Sequence, residues 1–302
     1  MKLFIPFVFL LLYFCVAGQD NKAHKFYLKS EKYLEKQNYK KAIIFIEKAV
    51  LLENDSSSYH QLKATVLGLT GSYYDAVECV SRAIELNPKN AVCYLNRGVY
   101  YYQLQNLTKA KEDFDKAISL NEKLANAYSS RALVHLANNN ASLGLQDLNE
   151  ALKVDSTHAE AYLNRAGIYF YAEEFDRAIK DINNAVRLKP KRSDLYYSRG
   201  SIKGNMGKFQ DAILDYNKAI KIDKKISDYY YSRGFAKEKA ELYKEALKDY
   251  SKALKFNPKD GQAFYRRGLM KVKNGKTGCA DFLKAIELGV PEAAEDMRKH
   301  CP

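Results

Sequence analysis

The sequence predicts an all-α fold, an α-solenoid of about eight stacked helical hairpins closed by a C-terminal capping helix. Three observations predict it. Small residues recur every 34 positions at Ala42, Ala76, Ala110, Gly144, Ala178, Ala212 and Ala246. A second register with the same period runs Ala49, Ala83, Ala117, Ala151, Ala185, Ala219 and Ala253, and a third runs Ser30, Ala64, Gly98, Ala132, Ala166, Gly200, Gly234 and Gly268. A fixed period of about 20 to 50 residues marks a repeat array whose units stack on their neighbours. With only 15 Gly and 6 Pro in 302 residues, the chain has no room for long linkers or low-complexity tracts.

Taken in order, the chain opens on residues 1–18, which read as a secretory signal peptide: Lys2, an apolar run LFIPFVFLLLYF, then small residues Val16 and Gly18 ahead of the expected cut. The alternative is a retained membrane anchor, since the run approaches the lower limit for spanning. Residues 19–302 form a single solenoid with repeats 23–56, 57–90, 91–124, 125–158, 159–192, 193–226, 227–260 and 261–289. Aromatic residues fill the space beside the small ones, at Tyr94, Tyr128, Tyr162, Tyr196, Tyr230 and Phe264 in the first helix of a unit and at Phe114, Tyr216 and Tyr250 in the second. Helix breakers fall at one phase, as at Asn87-Pro88, Lys189-Pro190 and Asn257-Pro258. Two antiparallel helices at about 8–10 Å need small side chains where they cross. After Gly289, Pro291 opens a cap helix over 291–301.

Numbering each unit from its first residue places Lys29, Lys63, Arg97, Arg131, Arg165, Arg199, Arg233 and Arg267 in slot 7. Slot 23 holds Phe45, Cys79, Asp113, Asp147, Asp181, Asp215 and Asp249, so every arginine unit carries an aspartate and the two lysine units do not. In the last unit the turn is two residues short, and Asp281 follows Arg267 by 14 residues where the other pairs are 16 apart. Because Arg97 has Asp113 in its own unit but Cys79 in the unit before, the pairing is expected within each hairpin: a guanidinium fork on a carboxylate, specifying register.

These registers resemble the tetratricopeptide repeat family, most closely in SDYYYSRGFAKEKAELYKEALKDYSKALKFNPKD at 227–260, although the chain has no Trp and Tyr takes its place, with His60 there in the second unit. The resemblance implies a right-handed superhelix whose concave groove is lined by slots 2, 5, 9, 12 and 13 of the first helices. In this sequence those slots supply Tyr27, Leu95, Val99, Tyr102, Leu133, Leu136, Leu163, Phe170, Tyr171, Tyr197, Tyr231, Phe235, Tyr265 and Leu269. An apolar, tyrosine-rich lining suits an extended peptide or a partner helix; the competing expectation is that some of these side chains pack between repeats. The lysine-and-asparagine clamp that one branch of the family uses for a chaperone's C-terminal carboxylate is not built here, because slot 5 contains no lysine.

Nothing in the sequence points to catalysis. His24, His60, His135, His158 and His300 are too scattered for a metal cluster, and NGKT at 274–277 lacks the first glycine and the preceding strand of a phosphate loop. The chain is therefore read as non-enzymatic, with no cofactor and no metal. Cys279 and Cys301 are equidistant from the turn at residue 290, which sets them side by side for a disulfide, with free thiols as the alternative. Cys79 and Cys93 are expected to be free. Without Lys2 the chain keeps 48 basic and 36 acidic residues. In an exported protein, periplasmic or extracellular, that charge suggests proteins or an anionic envelope surface rather than nucleic acid. Two functions stay open: a protein-binding scaffold that serves envelope assembly, and a binder of anionic polymer or membrane surface.

Overall fold

The computed structural model describes residues 22–301; the signal segment read at 1–18 lies outside them. Within them are seventeen helices and no strand. Hairpins one to four pair α1 (Lys22–Glu35) with α2 (Tyr39–Leu52), α3 (Ser57–Leu69) with α4 (Tyr73–Leu86), α5 (Ala91–Gln103) with α6 (Leu107–Leu120), and α7 (Ala125–Ala137) with α8 (Ala141–Val154). Hairpins five to eight are α9 (Ala159–Tyr171) with α10 (Phe175–Leu188), α11 (Ser193–Asn205) with α12 (Phe209–Ile222), α13 (Ser227–Lys239) with α14 (Tyr243–Phe256), and α15 (Gly261–Lys273) with α16 (Cys279–Glu287). The cap is α17 (Ala293–His300), which begins two residues later than Pro291. The chain forms two compact units that meet within α9, one closing at Ala161 and the other opening at Tyr162. Among the described residues no helix is long and apolar enough to cross a membrane.

Each first helix stops in the same way. The slot-15 residue takes a left-handed backbone, with φ between 56° and 84° at Gln37, Gly71, Gln105, Asn139, Glu173, Gly207, Glu241 and Gly275. Two reverse hydrogen bonds close the end, as from Gln105 N–H to the Tyr102 carbonyl (3.0 Å) and from Asn106 N–H to the Tyr101 carbonyl (2.8 Å), and the pair recurs in all eight hairpins. Glycine fills only three of these positions, so on the order of 1 kcal/mol of backbone strain is carried at each of the other five. The next residue starts the second helix. Asn38, Asn106 and Asn140 cap it with their side chains (3.2 Å each), whereas Glu174, Lys208 and Leu242 make no such bond.

Between the two helices of a hairpin, slot 8 faces slot 24 and their sizes compensate. Gly98, Gly200, Gly234 and Gly268 lie under the rings of Phe114, Tyr216, Tyr250 and Phe282. Where slot 8 is Ser30, Ala64, Ala132 or Ala166, slot 24 is the smaller Ile46, Val80, Leu148 or Ile182, all fully buried. Interiors are close-packed, so one methyl group on one helix must be matched by volume removed from the other. Neighbouring hairpins share the resulting cores: Ala42, Ile46 and Ala49 pack with Tyr59, Leu62 and Val66 in the first unit, and Ile182 and Val186 with Leu195 and Ile202 in the second.

The slot-7 arginines form a lattice. Arg97 Nε and Nη2 each donate to Asp113 at 2.8 Å, and the same fork joins Arg131 to Asp147, Arg165 to Asp181, Arg199 to Asp215, Arg233 to Asp249 and Arg267 to Asp281 at 2.5–3.0 Å. Each guanidinium also lies over the aromatic ring three residues earlier, from Tyr94 to Phe264, at 5.2–5.8 Å from its centroid. The remaining Nη1 reaches the previous hairpin, where slot 25 accepts from it: Ser81 from Arg97 (3.1 Å), Asp115 from Arg131 (2.6 Å), Asn183 from Arg199 (2.9 Å) and Asn217 from Arg233 (2.6 Å). Lys63, which has Cys79 in place of an aspartate, still faces slot 25 of the previous hairpin through Glu47 at 3.8 Å. In hairpin one, Lys29 sits over Phe45 and Phe26 instead, at 5.6 and 5.8 Å. One arginine thus fixes both the register inside a hairpin and its seat on the preceding one.

The last three hairpins add a lysine one turn on: Lys203, Lys237 and Lys271 donate to Asp215, Asp249 and Asp281 at 2.7, 3.0 and 2.9 Å. Burial alone would raise the Asp281 pKa, but the hydrogen bonds and charges of Arg267 and Lys271 outweigh it and hold the carboxyl below the usual range. At the C-terminus Cys279 and Cys301 are joined as a disulfide, and Tyr265 OH donates to Asp296 at 2.8 Å. Val290 and Ala293 pack with Phe282 and Ala285. Cys79 and Cys93 are free thiols.

Candidate interaction surface of the first helices

The groove-lining positions separate into three kinds. Leu95 and Val99 are 7% and 8% exposed, in the core that hairpin three shares with its neighbours, so they are corrected from partner-facing to structural. Both belong to the cluster that joins Val80 of hairpin two, Tyr100 and Phe114 of hairpin three and Val134 of hairpin four, where burying their apolar area holds the repeats together. Tyr102, Leu133, Leu136, Leu163, Phe170 and Leu269 are half-buried at core margins. Tyr171 stands apart at 87% exposure, edge-on to Phe170 with ring centroids 5.6 Å apart.

The slot-5 tyrosines do two things at once. Tyr27 stacks on Tyr59 at 5.2 Å and Tyr197 lies 5.1 Å from Tyr229, each reaching the next hairpin. Tyr197, Tyr231 and Tyr265 also lean on the slot-24 rings of Tyr216, Tyr250 and Phe282 at 5.9, 5.6 and 6.3 Å. Their hydroxyls are bonded: Tyr27 OH donates to Glu31 (2.7 Å), while Tyr197 OH accepts from Ser232 (3.4 Å) and Tyr231 OH from Arg266 Nε (3.2 Å). Burial, reinforced by Glu31, pushes the Tyr27 hydroxyl above its ordinary range, so it remains a neutral donor.

In the second unit these rings form the floor of a cleft of about 200 Å³ lined by Ser201, Gly204, Asn205, Tyr216, Tyr231, Ser232 and Phe235. It is wide here because slots 9 and 12 of hairpin six are Ser201 and Gly204, where hairpin three has Val99 and Tyr102. Beside it runs an ionic chain that sequence reasoning missed. Tyr250 OH donates to Glu238 (2.6 Å), Arg266 Nη1 donates to the other Glu238 oxygen (3.0 Å), and the Arg266 guanidinium covers Phe235 at 4.6 Å. Burial and the Glu238 charge together push the Tyr250 hydroxyl far up. The available signal was a carboxylate at slot 12, where every other unit has an apolar residue or glycine, and an arginine at slot 6 of the next unit, the one charged residue in that register. Among the described residues no three His, Cys, Asp or Glu side chains converge as a metal site.

Comparison with known proteins agrees with this geometry. Models of the tetratricopeptide repeat match residues 130–193, 193–225 and 227–260, and a model described as anaphase-promoting complex, cyclosome, subunit 3 matches 35–117. A TPR repeat-containing protein of Methanocaldococcus jannaschii is 33% identical over 79 residues, which are 26% of this chain and 14% of that protein. Among solved structures, the APC/C hetero-tetramer Cut9-Hcn1 superposes with a TM-score of 0.67 at 14% identity, over 94% of this chain and 57% of that one. YrrB, described as a TPR protein with an unusual peptide-binding site, gives 0.55 at 22% identity over 63% of this chain and 99% of its own. The pilF protein of Pseudomonas aeruginosa gives 0.63 at 18% identity, over 69% and 96%. These likenesses concern the fold. This chain spans little more than half of the Cut9-Hcn1 chain and one-seventh of the archaeal relative. With the 34-residue registers, the helical hairpins and the matched repeats in agreement, the chain belongs to the tetratricopeptide-repeat family.

Proposed function

We propose that the first-helix face of hairpins six and seven receives an extended peptide or a partner helix, and that the protein does so after export, as an assembly factor of a cell envelope. The observation that carries this reading is the cleft floored by Tyr216, Tyr231 and Phe235 and edged by Ser201, Asn205 and Ser232. Aromatic rings supply contact area at low conformational cost, and the rim supplies donors and acceptors that fix an extended backbone. The rings are already held by packing and by the Arg266–Glu238 chain, so a partner meets a surface that loses little freedom on binding. The description of YrrB as peptide-binding supports a peptide in particular. The export signal at 1–18 supports the compartment.

A photo-crosslinking side chain placed at Asn205 tests the binding site. Crosslinking to one partner that persists in 1 M NaCl and disappears with Phe235→Ala is expected. Capture that salt abolishes, or that Phe235→Ala leaves intact, overturns the groove reading. The mass of the protein isolated from its own cells tests export, with a chain that still begins at Met1 counting against cleavage.

A further inference from the structure

Hairpin seven carries a second recess, on the other side of α13. It measures about 490 Å³ and is lined by Tyr230, Arg233, Lys237, Glu245, Lys248, Asp249 and Lys252. At 100° per residue, Tyr230, Arg233 and Lys237 lie about 140° to 200° around the helix from Phe235, so this recess and the aromatic cleft open in different directions. Its inner charges cancel. Asp249 accepts from Arg233 Nε and Nη2 and from Lys237, Glu245 lies 3.3 Å from Lys237, and the last Arg233 nitrogen is spent on Asn217. Two cations and two carboxylates therefore leave no net charge in the wall.

Lys248 and Lys252 add two charges with no carboxylate against them, the Lys252 ammonium lying over the Phe256 ring at 5.7 Å. Both are exposed, they stand one turn apart on α14, and among the described residues neither forms an ion pair. Several surface cations on other second helices have a carboxylate within a turn: Arg82 has Glu85, Lys111 Asp115, Lys153 Glu150, Arg177 Glu174 and Lys284 Glu287. On α14 the stripe instead continues through Lys244 and Lys255, and hairpin seven is the one repeat with lysine at all four of these slots. Hairpin six has Gln210 and Leu214 at the first two. Like charges at this spacing oppose helix formation, and a divalent anion seated between them reverses the sign of that term.

The geometry points to a phosphate-binding site at the mouth of this recess, with Lys248 and Lys252 as donors. A phosphate dianion matches the two uncompensated charges and offers oxygens to both ammonium groups at once, which a single carboxylate does with half the charge. The site gives the basic reading of the chain a location, separate from the peptide cleft. The phosphate is either a free ion or part of a lipid headgroup.

Calorimetry of the purified protein with inorganic phosphate, and flotation with vesicles of phosphatidic acid, whose headgroup is a phosphomonoester, in phosphatidylcholine or of phosphatidylcholine alone, separate these sources. Lys248→Leu, which copies hairpin six, and Lys252→Gln are expected to weaken binding about ten-fold each. Neither side chain has a hydrogen bond or ion pair to lose, and the exposed contact of Lys252 with Phe256 contributes only about 0.5–1 kcal/mol, so both variants should melt close to the parent. Binding of free phosphate that both variants weaken supports a soluble ligand. Binding only to phosphatidic acid vesicles, weakened in the same way, supports a headgroup. Failure to bind either probe overturns the site, and so does an equal loss in Lys208→Gln/Lys276→Gln, which removes the same charge elsewhere. Phe235→Ala should leave phosphate binding unchanged, so the cleft and this site stand or fall separately.

Discussion

Gly200 and Tyr216 offer the most direct test of how the hairpins are specified. An ideal Cβ on Gly200 would lie 2.8 Å from Tyr216 Cε1 and 3.0 Å from Cδ1, well inside the ordinary carbon–carbon separation of about 3.5–4.0 Å. The ring has little freedom to withdraw: Tyr216 is buried, Tyr197 packs on it at 5.9 Å, and its hydroxyl donates to Ser201 at 3.4 Å. Two effects oppose each other in Gly200→Ala. Replacing glycine inside a helix gains about 1 kcal/mol, while forcing a methyl group into a filled core costs about 1–3 kcal/mol. The clash wins, and the substitution should destabilise by about 1 kcal/mol. In a Tyr216→Leu background the ring is gone and the propensity gain remains, so the same change should stabilise by about 1 kcal/mol. Gly234→Ala is the internal control: its nearest approach to Tyr250 is 3.2 Å, and its effect should be close to neutral. Denaturant unfolding, with hydrogen exchange of the α11 and α12 amides to locate the effect, measures the parent, the three variants of this cycle and Gly234→Ala. If Gly200→Ala stabilises the parent, or carries the same sign and size in both backgrounds, the size-matching argument is wrong.

Two further outcomes follow from the buried charges. Asp113 has only Arg97 in its own hairpin, because slot 11 there is Tyr101, whereas Asp215 keeps Lys203 at 2.7 Å if Arg199 is lost. Arg97→Met should therefore cost about 3 kcal/mol and Arg199→Met clearly less, as read from unfolding midpoints; equal losses would mean that the lysine contributes no compensation. His158 is buried with no hydrogen-bond partner at Nε2 among the described residues, and burial depresses its pKa against a smaller opposing pull from Asp155. A histidine with a lowered folded pKa contributes stability that is fully present above the unfolded value of about 6.5 and is lost as pH falls from there toward the folded value. His135, also lowered by burial, adds in the same direction. Melting temperature should fall below pH 6.5, and His158→Phe should flatten part of that slope; an unchanged slope would show that the ring is protonated without cost.

Much of the architecture was legible in the chain because a 34-residue period repeats the same physical problem eight times, and each solution can be checked against the others. Arg267 and Asp281 were readable as partners although their spacing differs, since covariation among units does not need coordinates. The size match between slots 8 and 24 was equally present in the letters. It becomes visible only once the two slots are known to face each other. The left-handed turns at Gln37, Gln105, Asn139, Glu173 and Glu241 were not legible, because glycine, the residue that announces such a backbone, stands at only three of the eight positions.

The candidate surface divides in the same way. The sequence by itself determined which side chains stand at each slot, and with them the period, the hairpins and the arginine–aspartate pairs. Only the tertiary structure decided that Leu95 and Val99 belong to the core, that Tyr197 joins repeats while Tyr231 both joins them and lines the cleft, and that Arg233 and Lys237 are neutralised while Lys248 and Lys252 have no ion pair. The reason is physical: a slot fixes the direction of a side chain on its own helix, but exposure and free charge depend on the volumes and partners that the neighbouring hairpin brings against it.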